Sequence, residues 1–275
     1  MTPKVALSIA GSDPSGGAGI QADLKTFAAF GVHGCAALAG LTVQNTVGVK
    51  AAQALDPAFV TAQVAAVVDD FKVSATKLGM LTNAGIATAV ADLLAARRAD
   101  FGTIVLDPVM VATSGDRLVA DETVEVIRTR LMPLADVITP NVPEAAVLLD
   151  EAPATSTEEL QAQAERLLVA GARAVLAKGG HLDGDQLVDV LATAEGVRHF
   201  SSPRIRTRNT HGTGCTLSSA VAAASALRGG LSPEAVTAAR DYLHRAITAG
   251  ASWRLSRTPE AGHGPVNHLV EGAAS

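Results

Sequence analysis

The chain has 275 residues, 48% of them hydrophobic and only 18% charged, enough apolar material to fill a sizeable core, which excludes wholesale disorder. A formal net charge of −5 argues against a nucleic-acid-binding surface, and no apolar run approaches the roughly 18–20 residues of a membrane-spanning helix. The start, MTPKVALSIAGSD, turns polar too soon for a signal peptide, and the widely separated Cys35 and Cys215 make neither a disulfide framework nor a zinc site, so the chain reads as soluble, cytoplasmic and reduced.

Short apolar runs alternate with Ala-rich helical stretches almost to the end. Residues 5–10, 35–43, 75–80, 103–106, 136–139 and 174–177 read as strands, and their near-continuous apolar character suits strands covered on both faces. Between them, QADLKTFAAF, AFVTAQVAAVVDDF, AGIATAVADLLAARR and TEELQAQAERLLVAG carry helical spacing. This alternation predicts an α/β fold in three layers, a mostly parallel sheet with helices on both sides. Residues 185–207 break the rhythm: DQLVDVLAT, GVRHFS and RIRT read as consecutive strands, an antiparallel addition to the sheet edge. Two long helical runs follow, 213–228 and 233–254. No repeat, linker or charge run divides the chain, so residues 1–275 read as a single domain.

Ligands of open α/β sheets sit at the carboxyl ends of strands. There the sequence places the loop 11–19, Gln44, Met80, Asp107, the stretch from Asn141 to Glu144, Lys178-Gly179-Gly180, and the stretch from His211 to Cys215. The first loop, GSDPSGGAG, is no Walker A motif, because no Lys-Ser or Lys-Thr follows its paired glycines. Gly17-Ala18-Gly19 with Ala22 matches a permissive dinucleotide fingerprint, but the second strand closes on Gln44-Asn45 rather than on the acid that holds ribose hydroxyls. What remains is a loop enclosing a small substrate, or a plain flexible connection.

The second glycine motif, RNTHGTGCTLSSA, puts Thr213, Gly214 and Cys215 in the first turn of a helix, where free amides and the helix dipole attract phosphate. A thiol at that place is expected to ionise more easily, although a buried filler is the plainer use of a cysteine. Asn141 and Glu144, three apart, suit either a capping box or a hydrated magnesium ion carrying nucleotide phosphates. Asp107 adds a carboxylate at a strand end, and Lys178 a cation where triphosphate charge would lie.

Together, SIAGSDPSGGAGIQADLKTF, TVQNTVGV, KLGMLTN, VLDPVMVATSGDRL, ITPNVPEA, KGGH and TRNTHGTGCTLSSA closely resemble the ribokinase-like superfamily. Within it they resemble the hydroxymethylpyrimidine/phosphomethylpyrimidine kinases of thiamine biosynthesis, in family order from residue 5 to about 227. The resemblance implies ATP-dependent phosphorylation of 4-amino-5-hydroxymethyl-2-methylpyrimidine, then of its monophosphate to the diphosphate, with ATP and Mg2+ as partners of the reaction.

Carried over, Gln44 would bond the aminopyrimidine edge, since an amide offers donor and acceptor together. Val43 and Met80 would touch the ring, Gly11 and Ala18 would offer backbone groups, and Asp23 a carboxylate near the hydroxymethyl end. Lys178 would bind phosphate, and Asn141, Glu144 and Asp107 would belong to the nucleotide–magnesium network, the two acids through water. Gly212, Thr213, Gly214 and Cys215 would form the anion hole, with the Cys215 thiolate as proton acceptor, and PVMVATSGDRL would be the flap that closes over the reactants. The second acceptor is a phosphate, largely ionised at pH 7 because its second pKa is about 6, so that step needs mainly charge neutralisation.

Pyridoxal kinase is the alternative reading on the same fold. Some relatives active on pyridoxal carry a flap cysteine where this chain has Ala112. Oligomeric state is not legible in the residues, and the resemblance alone implies a homodimer.

Overall fold

The computed structural model describes residues 2–110 and 119–272. Ala112 and most of the expected flap, residues 111–118, lie outside the described residues. Among these, nine strands make one sheet in the order β3-β2-β1-β4-β5-β6-β7-β8-β9. The strands are β1 (Val5–Ser12), β2 (His33–Asn45), β3 (Gly48–Ala54), β4 (Val73–Leu78), β5 (Thr103–Leu106), β6 (Val137–Ile138), β7 (Ala174–Ala177), β8 (Gln186–Thr193) and β9 (Gly196–Pro203). From β2 through β1, β4, β5 and β6 to β7 every pairing is parallel, while β3, β8 and β9 join by antiparallel hairpins at the two edges.

Helices cover both faces, and the alternation of side chains along a strand divides the core in two. Leu7, Ile9, Leu78 and Ile104 pack with α2 (Pro57–Asp70), α3 (Ala84–Ala96), α5 (Val142–Leu149) and α6 (Thr157–Val169). Their strand neighbours Ala6, Val105 and Val137 face the other way, onto α1 (Gly19–Ala29), α7 (Thr213–Arg228) and α8 (Pro233–Gly250). A short α4 (Asp121–Val126) completes the set. Asp56, Asn83, Ser156 and Ser232 each accept a backbone N–H at the start of the helix that follows, so the starts of α2, α3, α6 and α8 are set locally. Small residues fill α7, which is buried from Thr216 to Ala226 and fits directly against the sheet. No helix among the described residues is long and apolar enough to cross a membrane.

Three expectations need correction. The β3 strand is absent from the predicted elements because its residues are small and mostly exposed, leaving no apolar pattern to read. RIRT, 204–207, is not a strand: Pro203 ends the ladder, and Arg204 spends its guanidinium on the carbonyls of Gly180, Leu182 and Gly184. The last helix stops at Gly250, four residues short of the predicted end.

Candidate active site

The parallel strands release their chains on one side of the sheet, and a cavity of about 570 Å3 opens there. Gly11, Ala18, Gln44, Met80, Asp107, Asn141, Glu144, Lys178 and residues 212–215 all line it. Its size is that of an ordinary small-molecule site.

The two glycine motifs meet directly. Gly212 caps α7 in the left-handed region (φ 81°), and a Cβ there would stand 1.8 Å from the Gly17 carbonyl oxygen. Only glycine meets both demands. Among the described residues no side chain caps the start of α7; Thr213 N–H bonds the Thr210 carbonyl (3.3 Å), and Gly214 and Cys215 line the cavity at the first turn. Gly19, also left-handed (φ 58°), turns the first loop into α1 so tightly that a Cβ would meet Gly11 O at 2.4 Å.

Gln44 faces the cavity from β2, its Oε1 3.1 Å from the Thr42 hydroxyl. Val43 does not face it. Adjacent strand residues point to opposite faces, and Val43 is 59% exposed on the outer side. The expected ring contact at that position is therefore corrected to an outward-facing side chain.

Asp23 is corrected as well. It is fully buried and does not line the cavity. Its carboxylate receives Lys77 Nζ at 2.9 Å on both oxygens, Ser8 Oγ at 2.6 Å and Ser219 Oγ at 2.6 Å. Four bonds saturate its acceptor capacity, leaving nothing for a ligand. The cavity floor instead shows Lys77, held fully charged because Asp23 offsets the cost of burial. The sequence signal was available: a lysine on the buried strand VSATKL demands a partner.

Lys178 leaves the end of β7 beside the start of α5, its N–H bonded to Pro140 O (2.8 Å). Its Nζ lies 2.9 Å from Asp107 and 3.6 Å from Glu144. Burial opposes its charge, but the two carboxylates keep it protonated. Burial alone would likewise raise the pKa of Asp107; the charges of Lys178 and Lys77 and the Ser218 hydroxyl hold it below the usual range.

Asn141 and Glu144 form a full capping box on α5, with Asn141 N–H bonding Glu144 Oε2 (2.8 Å) and Glu144 N–H bonding Asn141 Oδ1 (2.9 Å). Both also line the cavity. Burial pushes the Glu144 carboxyl up to about 7, Lys178 opposing and Asp107 adding to the rise.

Cys215 lines the cavity, but its expected thiolate is corrected. Burial raises its pKa to about 11, more than nearby Lys77 and the Gly19 N–H lower it. Cys215 is only half-buried, and the upward direction of that shift argues against a thiolate at neutral pH.

Sequence reasoning assigned no chemistry to His211 and passed over Asp13. Their side chains meet at 2.7 Å, both buried, across the junction of the glycine motifs. Asp189 was also missed; it joins Gly179 N–H (2.8 Å) to Arg240 Nε (2.7 Å) behind Lys178.

Comparison with known proteins identifies the family. Residues 13–267 match the phosphomethylpyrimidine kinase family. A hydroxymethylpyrimidine/phosphomethylpyrimidine kinase of Salmonella typhimurium is 47% identical over 264 residues, 96% of this chain and 97% of that protein. The crystal structure of a phosphomethylpyrimidine kinase from Clostridium difficile superposes with TM-score 0.77 at 38% identity, over 89% of this chain and 99% of that one. An ADP complex of Bacillus subtilis pyridoxal kinase superposes with TM-score 0.86 at 34% identity, over 98% of both chains. By its matched length and its identity to these relatives, the chain belongs to the phosphomethylpyrimidine kinase family.

Proposed function

We propose that this chain transfers the γ-phosphoryl group of ATP to 4-amino-5-hydroxymethyl-2-methylpyrimidine and then to the monophosphate so formed, giving the diphosphate used in thiamine synthesis. One observation carries the reading: the amide-lined start of α7 and the Gln44 side chain open into the same cavity, with Gly212 packed on the Gly17 carbonyl. An anion grip and a heterocycle-sized amide contact thereby face one another across a single space.

Gln44 would present donor and acceptor to the amino group and ring nitrogen, while Met80 and the backbone at Gly11 and Ala18 close around the ring. Lys178, aimed by Asp107 and Glu144, would neutralise the transferring phosphoryl group together with the amides of Gly214 and Cys215. In a loose transition state the attacking hydroxyl keeps its proton until late, so positioning and charge neutralisation do most of the work. A neutral Cys215 thiol fits such a step, and the second acceptor needs no base. Asp189 would serve from behind, its bond to Gly179 N–H holding the turn that follows Lys178.

The donor set also suits magnesium. Asp107 and Glu144 are hard oxygen donors that share one lysine, and Glu144, raised mainly by burial with Asp107 adding to the rise, gains from a further cation nearby. They would hold a hydrated ion carried in with the nucleotide, through water, because magnesium takes few protein ligands. When bound, the ion screens phosphate charge.

Pyridoxal is the second acceptor to test, favoured by the superposition on pyridoxal kinase over nearly the whole chain. A coupled assay for ADP, offering the pyrimidine alcohol, its monophosphate and pyridoxal in parallel, separates the readings. Turnover of both pyrimidines with kcat/KM well above that for pyridoxal is expected. Turnover of pyridoxal alone would replace the pyrimidine assignment.

A further inference from the structure

We propose that His211 and Asp13 form a positioning pair that holds the start of α7 in register with the glycine loop on the pyrimidine side. The inference rests on the phosphoryl-transfer reading above and names the contact that aligns its two halves.

Both segments are glycine-rich, and each pairs through an isolated bridge, Ser12 with Gly19 and His211 with Pro265. Asp13 first organises its own loop: Oδ1 accepts Ser15 N–H (2.8 Å), and Oδ2 accepts Ser15 Oγ–H and Ala18 N–H (both 2.9 Å). Oδ2 then also takes His211 Nε2 at 2.7 Å, from almost 200 residues away in the chain. An ionised carboxylate only accepts, so Nε2 carries the hydrogen. Burial acts to raise the Asp13 pKa, but the bonds from His211 and Ser15 bring it down to about 2, so the carboxylate is ionised throughout the neutral range.

The imidazole is confined on its other sides. A Cβ on Gly17 would stand 2.4 Å from His211 Cδ2, and the His211 N–H bonds Gly264 O at 3.0 Å. The residue after His211 is Gly212, the cap of α7. A shift of the ring is therefore passed directly to the amides of the first turn. Electrostatic stabilisation of a phosphoryl group works only when the donors are already in place, and a displacement on the order of 1 Å costs roughly 100-fold in rate.

The test compares His211→Leu, His211→Gln and Gly17→Ala with the unaltered protein, each checked for folding by thermal melting. Glutamine places its amide N–H near the position of the imidazole Nε2. Gly17 has no left-handed backbone, so alanine there acts chiefly on the ring at 2.4 Å, with a lesser contact to Pro265 Cβ at 3.1 Å. His211→Leu and Gly17→Ala should each lower kcat by roughly 10- to 100-fold while the KM for ATP moves less than about threefold. Amide hydrogen exchange should accelerate in both 11–19 and 211–215, and His211→Gln should restore most of the rate and the protection.

A merely structural histidine predicts a lower melting temperature with unchanged kcat per folded molecule. Near-normal kcat in folded His211→Leu or Gly17→Ala, or equal loss in the leucine and glutamine variants, overturns the pairing. If His211→Leu does not fold, Gly17→Ala decides alone. Absence of phosphoryl transfer in the unaltered protein overturns the functional reading, and this inference with it.

Discussion

Cys215 is the residue whose chemistry changes most between sequence and structure. A helix start suggests a thiolate, yet burial in the cavity raises the pKa to about 11. Iodoacetamide at pH 8 should label Cys215 in the folded protein more slowly than a free thiol; peptide mass spectrometry gives the rate, and labelling as fast as free cysteine would restore the thiolate. Replacement by alanine keeps the residue's backbone N–H, so Cys215→Ala should slow the alcohol and monophosphate steps by similar factors, each under about tenfold. A loss confined to the alcohol step in single-turnover kinetics would make the thiol a base after all. In the proposed function Gln44 has the opposite profile, a side chain that would work through its amide. Gln44→Leu should raise the pyrimidine KM by roughly 10- to 100-fold and spare that of ATP, because a site built to hydrogen-bond is left with unpaired groups. An unchanged pyrimidine KM would remove Gln44 from the site.

Elements bring these residues together, and their legibility depends on how local the cause is. The parallel strands were readable because burial on both faces leaves continuous apolar runs, and the glycine loops because small residues interrupt them. Glu144 and Asn141 illustrate two uses of one local pattern: the capping box starts α5, and the same side chains line the cavity. Val43 was misplaced for a simple reason of period, since it neighbours the inward-facing Gln44 on one strand. Asp13–His211 and Asp23–Lys77 were not legible as pairs, because no local pattern links positions so far apart in the chain. At this scale Gly212→Ala is the sharpest test. The substitution meets a left-handed φ and a 1.8 Å approach to Gly17 O at once, so the start of α7 has to move. Expected are a lower melting temperature and nearly complete loss of phosphoryl transfer; an active, equally stable variant would refute the close packing of the two motifs.

Across the whole molecule, buried charge sets both stability and its pH dependence. Lys77 and Asp23 are fully buried partners between the sheet and α1, braced by Ser8 and Ser219. Removing one charge strands the other, at a cost of about 3–5 kcal/mol, so Asp23→Asn should fall sharply in denaturant midpoint. Lys77→Met combined with Asp23→Leu should recover part of that loss; a double variant no better than the single would show that the pair is not acting as a unit. Glu144 acts through protons. Its folded pKa of about 7 lies above the ordinary 4.5, so the folded state binds the extra proton between those values. Its contribution is therefore present below pH 4.5 and lost as pH rises through 7, and Glu144→Gln should flatten that part of the stability profile in the ligand-free protein. An unchanged slope would mean that Glu144 does not titrate there.

The most direct measurement follows phosphorus NMR of ATP and the pyrimidine alcohol with the purified protein. The monophosphate should appear first and the diphosphate second, with one ADP formed for each phosphoryl group transferred. ATP consumed without a phosphorylated pyrimidine, or no ATP consumed at all, would contradict a cavity in which the α7 amides face the heterocycle site.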